Sequence, residues 1–145
     1  MTQNDAQYLR RAIGLAAKAR AAGEQPYGSL LVGPTGNVLA EDHNTVLSAR
    51  EISAHPELKL AVWAARELDP VAARATTMYT SCQPCGMCAG AIARSGLGRV
   101  VFALSGEQLA DLKPAGAVAP DANEVAYEGP GLFDEARVPI DGYYD

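Results

Sequence analysis

The residues able to do chemistry fall in two short stretches, His55-Pro56-Glu57 and Thr80-Ser81-Cys82-Gln83-Pro84-Cys85-Gly86-Met87-Cys88. Cys85 and Cys88 are separated by two residues, so on a helix their thiolates share one face. At a helix N-terminus the backbone dipole favours the charged form of such thiols. All 3 cysteines lie in this one segment, so no disulfide can cross the fold, and metal or redox chemistry is indicated instead. A structural zinc site closes with four protein ligands. This chain has only 2 histidines, His43 and His55, to add to its cysteines. His55, Cys85 and Cys88 therefore make a three-ligand set with one position left for water, the arrangement of a catalytic zinc ion, one per chain.

Pro56 explains how His55 and Glu57 can serve the same site. The residue before a proline is pushed out of the helical region, whereas proline itself suits the first helical position. His55 is thus expected to be the last extended residue and Glu57 to lie in the first turn. A bend between them lets imidazole and carboxylate converge. Two thiolates cancel the charge of zinc, so water there is acidified less than in an all-histidine site. A neighbouring carboxylate can take its proton, and such general acid–base groups supply about 10²–10⁴-fold. Alone, His-x-Glu is an ordinary helix start; joined to Pro-Cys-x-x-Cys it reads as a catalytic site.

Helices and strands must bring these stretches together. Residues 5–22 carry a helical apolar stripe, with Asn4 or Asp5 as cap and Gly23 as stop. Residues 27–32 and 38–41 read as a hairpin across Gly33-Pro34-Thr35-Gly36, with His43-Asn44 just beyond it. Further helices are predicted over 56–68, 85–94 and, capped by Ser105, up to Leu112. Strands are predicted over 76–80, 99–104 and, weakly, 124–127. Residues 113–122 read as a loop, and the tail from Leu132 starts as a helix broken at Pro139. Strands alternating with helices after a hairpin imply an α/β fold, a three-layer α/β/α sandwich around a mixed sheet of about five strands. With 145 residues and no internal repeat or linker, a single domain over 1–145 is expected.

The two stretches, with Tyr79, Ala89-Gly90-Ala91-Ile92 and the hairpin, resemble the cytidine deaminase-like zinc hydrolases over residues 27–102. The resemblance is to the guanine, cytosine and tRNA-adenosine deaminase branch, and in motif most to guanine deaminases. Gln83 stands where glutamate is common, and Pro56 where alanine is usual. The resemblance implies hydrolytic deamination, with zinc on His55, Cys85 and Cys88 and proton transfer by Glu57. It further implies that Asn44 contacts the substrate base and that the backbone near Ser81 and Cys82 lines the pocket. Tyr143, Tyr144 and Asp145 could close over it.

The catalytic motif leaves the substrate open. The formal net charge is -5 and basic residues are scattered, whereas nucleic-acid affinity rests on phosphate neutralisation. A small heterocyclic amine of guanine or cytosine type is therefore expected before a nucleoside, and a nucleoside before tRNA adenosine. The chain has no convincing counterpart of the acidic loop that guanine deaminases carry after this strand, Asp111 being the nearest candidate. A non-catalytic zinc-binding subunit is the competing class, but it gives Glu57 no role beside His55. The sequence has no signal-peptide pattern and no apolar run near the ~20 residues of a membrane span, so a cytoplasmic protein is expected. The resemblance also suggests a homodimer.

Overall fold

Thr2, rather than Asn4 or Asp5, opens the first helix, α1 (Gln3–Ala21). Its hydroxyl accepts the Asp5 backbone N–H at 3.2 Å, and the Asp5 carboxylate accepts the Thr2 N–H at 2.8 Å. This reciprocal pair satisfies two of the orphan donors at the helix start. Asp5 is thereby freed from capping duty of its own and becomes the partner of the cap. The computed structural model describes residues 1–115 and 124–145.

The sheet holds β1 (Gly28–Val32), β2 (Val38–His43), β3 (Thr77–Cys82) and β4 (Arg99–Leu104), in the order β2-β1-β3-β4. β1 runs antiparallel to β2 and β3, whereas β4 runs parallel to β3, so the sheet is mixed. Between the strands lie α2 (Val46–Ala49), α3 (Pro56–Glu67), α4 (Pro70–Arg74) and α5 (Gly86–Ser95). After β4 come α6 (Gly106–Leu112), capped by Ser105 as expected, and α7 (Phe133–Ala136). The short helices α2 and α4 occupy stretches whose sequence reads as plain connections. Four or five residues carry too little periodicity to announce a helix.

Strand alternation divides the core in two. Leu30, Val32, Tyr79 and Val101 pack with Leu9 and Ala12 of α1. Leu31 and Met78 face the other way, against Leu60 and Ala64 of α3. The expected three-layer α/β/α sandwich is what forms, with α1 on one side and α3 and α5 on the other. Among the described residues the sheet has four strands, not about five. The strand expected over 124–127 is irregular, with Val125 and Tyr127 62% and 92% exposed. A weak β pattern needs a buried face to become a strand, and this stretch buries none. Most of the loop expected over 113–122 lies outside the described residues.

Two contacts lock α1 onto the sheet. Gly28 admits no side chain, since a Cβ there would lie 2.5 Å from Leu15 Cβ and 2.6–2.7 Å from the Ala16 N and Ala12 O backbone atoms. The second contact is an ion pair. Asp5, 2% exposed, accepts two hydrogen bonds from Arg99 at 2.8 and 3.0 Å and one from the Tyr79 hydroxyl at 2.6 Å. Arg99 first, then Tyr79 and Thr2, hold the Asp5 carboxyl well below the usual range, and burial followed by Asp5 pushes the Tyr79 hydroxyl up to about 12.

Because the Asp5 pKa is depressed on folding, its contribution is complete above the unfolded carboxylate value of about 4 and is lost as pH falls below it. Asp5→Asn is expected to cost about 1–3 kcal/mol at neutral pH, Arg99 being half exposed and so partly solvated. Urea unfolding measured from pH 7 down to 2 checks this. The wild type should lose stability below pH ~4 more steeply than the variant.

The side chains of residues 124–145 are exposed. They include Leu132, Phe133, Val138, Ile140, Tyr143 and Tyr144. Arg137 pairs with Asp141 at 3.0 Å and lies 5.5 Å from the Phe133 ring centroid, so this segment is organised mainly by its own local contacts.

Candidate active site

The bend predicted at His55 is present. His55 has extended backbone (φ -76°, ψ 139°), Pro56 takes the first helical position and is buried, and Glu57 sits in the first turn of α3. On the facing helix Cys85 is the N-cap of α5, with extended backbone, and Cys88 lies within the first turn. Small residues along α5, among them Gly86, Ala89 and Gly90, let it pack against α3. This brings His55 Nδ1 to 3.6 Å from Cys85 Sγ and 3.5 Å from Cys88 Sγ.

The three donor atoms all lie within 4.8 Å of one another. Tetrahedral zinc with Zn–S near 2.3 Å and Zn–N near 2.0–2.1 Å places nitrogen and sulfur ligands about 3.6 Å apart. The separations here match, so His55, Cys85 and Cys88 can hold one zinc ion without rearrangement. Cys88 is fully buried whereas Cys85 is exposed, which leaves the cluster open on one side. Burial first, then the Glu57 carboxylate and Cys85, push the Cys88 thiol up, so metal binding must displace its proton. His43 takes no part, its Nδ1 lying 3.0 Å from the Asn44 carbonyl.

Glu57 is 6% exposed, and its carboxylate is one of the groups that push the neighbouring Cys88 thiol up. Two hydroxyls approach the same oxygen: Ser29 Oγ lies 3.0 Å and Thr80 Oγ1 2.8 Å from Glu57 Oε1. Neither residue stands out when the motif is read alone. Ser29 is the lone polar side chain of β1 (GSLLV), which is a signal, whereas Thr80 shares β3 with Thr77 and Ser81 and carries none.

Asn44 is 1% exposed, just past β2. Its Nδ2 donates to Gln25 Oε1 at 3.1 Å and its Oδ1 accepts the Val46 N–H at 2.9 Å. One donor and one acceptor site of the amide remain. The connection carrying it is clamped to α3 by Lys59, whose ammonium donates to Asp42, the His43 carbonyl and Thr45 at 2.9–3.0 Å. On the other side Glu24 accepts the Leu47 and Ser48 N–H groups of α2. In sequence, Lys59 is indistinguishable from a charge on a solvated helix face.

The remaining expected site residues separate. Cys82 ends β3, buried on the Glu57 side, where burial and then the Glu57 charge push its thiol up. Ser81 points to the opposite face and accepts the Gly28 N–H at 3.1 Å. Gln83 joins the β3–α5 turn to α6, its side-chain oxygen accepting the Gly106 N–H at 2.9 Å. Tyr143 is 75% exposed and stacks edge-on against Tyr144, with centroids 4.9 Å apart. Asp111 is exposed on α6.

A family model for the cytidine and deoxycytidylate deaminase zinc-binding region matches residues 2–104. The chain is 31% identical over 160 aligned positions to a probable cytosine deaminase of Schizosaccharomyces pombe, covering 100% of this chain and 95% of that protein. It is 36% identical over 101 positions to the tRNA-specific adenosine deaminase of Haemophilus influenzae, covering 70% of this chain and 58% of that one. The crystal structure of guanine deaminase from Bacillus subtilis superposes with a TM-score of 0.75 at 26% identity, covering 99% of this chain and 94% of that one. With the three-donor cluster in place between α3 and α5, these matches establish that the chain belongs to the zinc-binding cytidine and deoxycytidylate deaminase family of enzymes.

Proposed function

We propose that the protein hydrolytically deaminates a small nucleobase or related heterocycle of guanine or cytosine type, releasing ammonia. The observation that carries this reading is the buried Glu57 carboxylate in the first turn of α3, two residues from His55 of an open three-donor cluster. A zinc ion held by His55, Cys85 and Cys88 supplies Lewis acidity and an activated water. Glu57 takes the proton released as water adds to the amine-bearing ring carbon. It passes that proton to the ring nitrogen, then takes the proton of the added hydroxyl and gives it to the departing amine, so that the C–N bond breaks as the carbonyl forms and ammonia leaves. Asn44, with its free donor and acceptor, orients the base. The backbone at the end of β3, near Ser81 and Cys82, contributes pocket wall, and Tyr143 belongs to a tail able to cover the opening.

Relatives act on cytosine, guanine and tRNA adenosine by their names. The net charge of -5 and the scattered basic residues favour a small substrate over tRNA. Nucleosides rank between the two. Ammonia release across guanine, cytosine, adenine, their nucleosides and triazines tests the ranking. Turnover is expected to be highest on a free base, with no tRNA gel shift at moderate salt; tRNA retention together with adenosine turnover would reverse the order.

The same reading makes residues 1–145 one catalytic domain working as a homodimer in a reducing cytoplasm, where clustered thiols persist. The exposed apolar side chains of 124–145 support an association between copies, which sedimentation would detect. No helix among the described residues is long and apolar enough to cross a membrane.

A further inference from the structure

We propose that Ser29 and Thr80 are positioning residues that hold the Glu57 carboxylate in its working orientation. The inference rests on the deamination reading for Glu57. Ser29 on β1 and Thr80 on β3 are direct cross-strand partners, and both are fully buried. Alternation puts them on the sheet face that otherwise carries Leu31 and Met78. Hydroxyls in such an apolar layer are costly unless they are hydrogen-bonded. Ser29 Oγ lies 2.7 Å from Thr80 Oγ1, and both lie within 3.0 Å of Glu57 Oε1.

Each hydroxyl has one proton. The two shortest legs form a directed chain in which Ser29 donates to Thr80 and Thr80 donates to Oε1. The Gly28 carbonyl, 3.5 Å from Thr80 Oγ1, is the weaker alternative. Both hydroxyls approach the same carboxylate oxygen, which pins Oε1 to the sheet and leaves Oε2 for the reacting side. The hold comes from two paired strands of the central sheet, whereas Glu57 itself sits in a first helical turn on a long side chain. Hydroxyls that merely satisfied a buried group would affect stability and leave turnover alone.

The test compares Thr80→Val, which keeps the shape and removes the hydroxyl, with Thr80→Ser, which restores it, and adds Ser29→Ala. Ammonia release, zinc per chain, melting temperature and the Glu57 carboxylate stretch are measured, the last by infrared difference against Glu57→Gln. Thr80→Val should lower kcat on the order of 10- to 100-fold, the range a misplaced reacting group produces, with KM and zinc content unchanged. Its Glu57 band should shift, and Thr80→Ser should recover both rate and band. Unchanged kcat with an unshifted band in Thr80→Val overturns the proposal. So does a Thr80→Ser variant as impaired as Thr80→Val. If Thr80→Val fails to fold, Ser29→Ala is read by the same criteria. If the wild type releases ammonia from nothing in the panel, the deamination reading falls. The band alone then decides whether the hydroxyls hold Glu57.

Discussion

Glu57→Gln is expected to keep its zinc and its fold while kcat falls by about 10²–10⁴-fold, the contribution of a positioned general acid–base group. Glutamine has nearly the same volume, and its amide oxygen can still accept the Ser29 and Thr80 hydroxyls that approach Oε1. The buried layer around it is therefore undisturbed. What disappears is the ability to take a proton and return it. Zinc should remain, because the donor atoms belong to His55, Cys85 and Cys88 and not to Glu57. Metal analysis of the purified variant, beside steady-state ammonia release, makes the comparison. Turnover at the wild-type rate would remove Glu57 from the mechanism.

His55→Ala should produce the opposite pattern, with zinc content near zero and deamination lost altogether. Two thiols remain, but three donors are the least that anchor a catalytic zinc. The Cys88 thiol is held protonated by burial and by the Glu57 charge until metal displaces its proton. Without the imidazole this deprotonation has less binding energy behind it. The fold should survive, since α3 is anchored through Leu60 and Ala64 against Leu31 and Met78, away from its first turn. A chelator should lower the melting temperature of the wild type and leave that of His55→Ala unchanged. Stoichiometric zinc in His55→Ala would show that the metal is held elsewhere. Together the two variants separate metal binding from proton transfer.

Much of this site can be read directly along the chain. Local chemistry governs the features that were legible. Proline restricts the residue before it, which set the His55 bend. A two-residue spacing on a helix aligns Cys85 and Cys88. The scarcity of other ligands left an open coordination position. The hairpin, the main helices and the alternation of helices and strands followed from periodicity, which is also local. The weak strand expected over 124–127 failed because a strand depends on a partner and a buried face, and neither is encoded in four residues. The cap of α1 lies two to three positions before Asn4 and Asp5 because Thr2 and Asp5 act as a pair.

The three candidate metal donors and the carboxylate beside them are thus legible in the sequence itself, through the types and spacing of a dozen residues. Only the tertiary structure decided what holds them. Ser29 and Thr80 lie 51 residues apart and become partners of Glu57 solely through the β1–β3 register. Lys59 becomes a clamp on the Asn44 connection only when α3 docks against the end of β2. Asp5 and Arg99, 94 residues apart, meet because α1 crosses the sheet over β3 and β4. Such pairs have no signature along the chain, because their distance is set by strand register and layer packing and not by the covalent spacing of neighbouring residues.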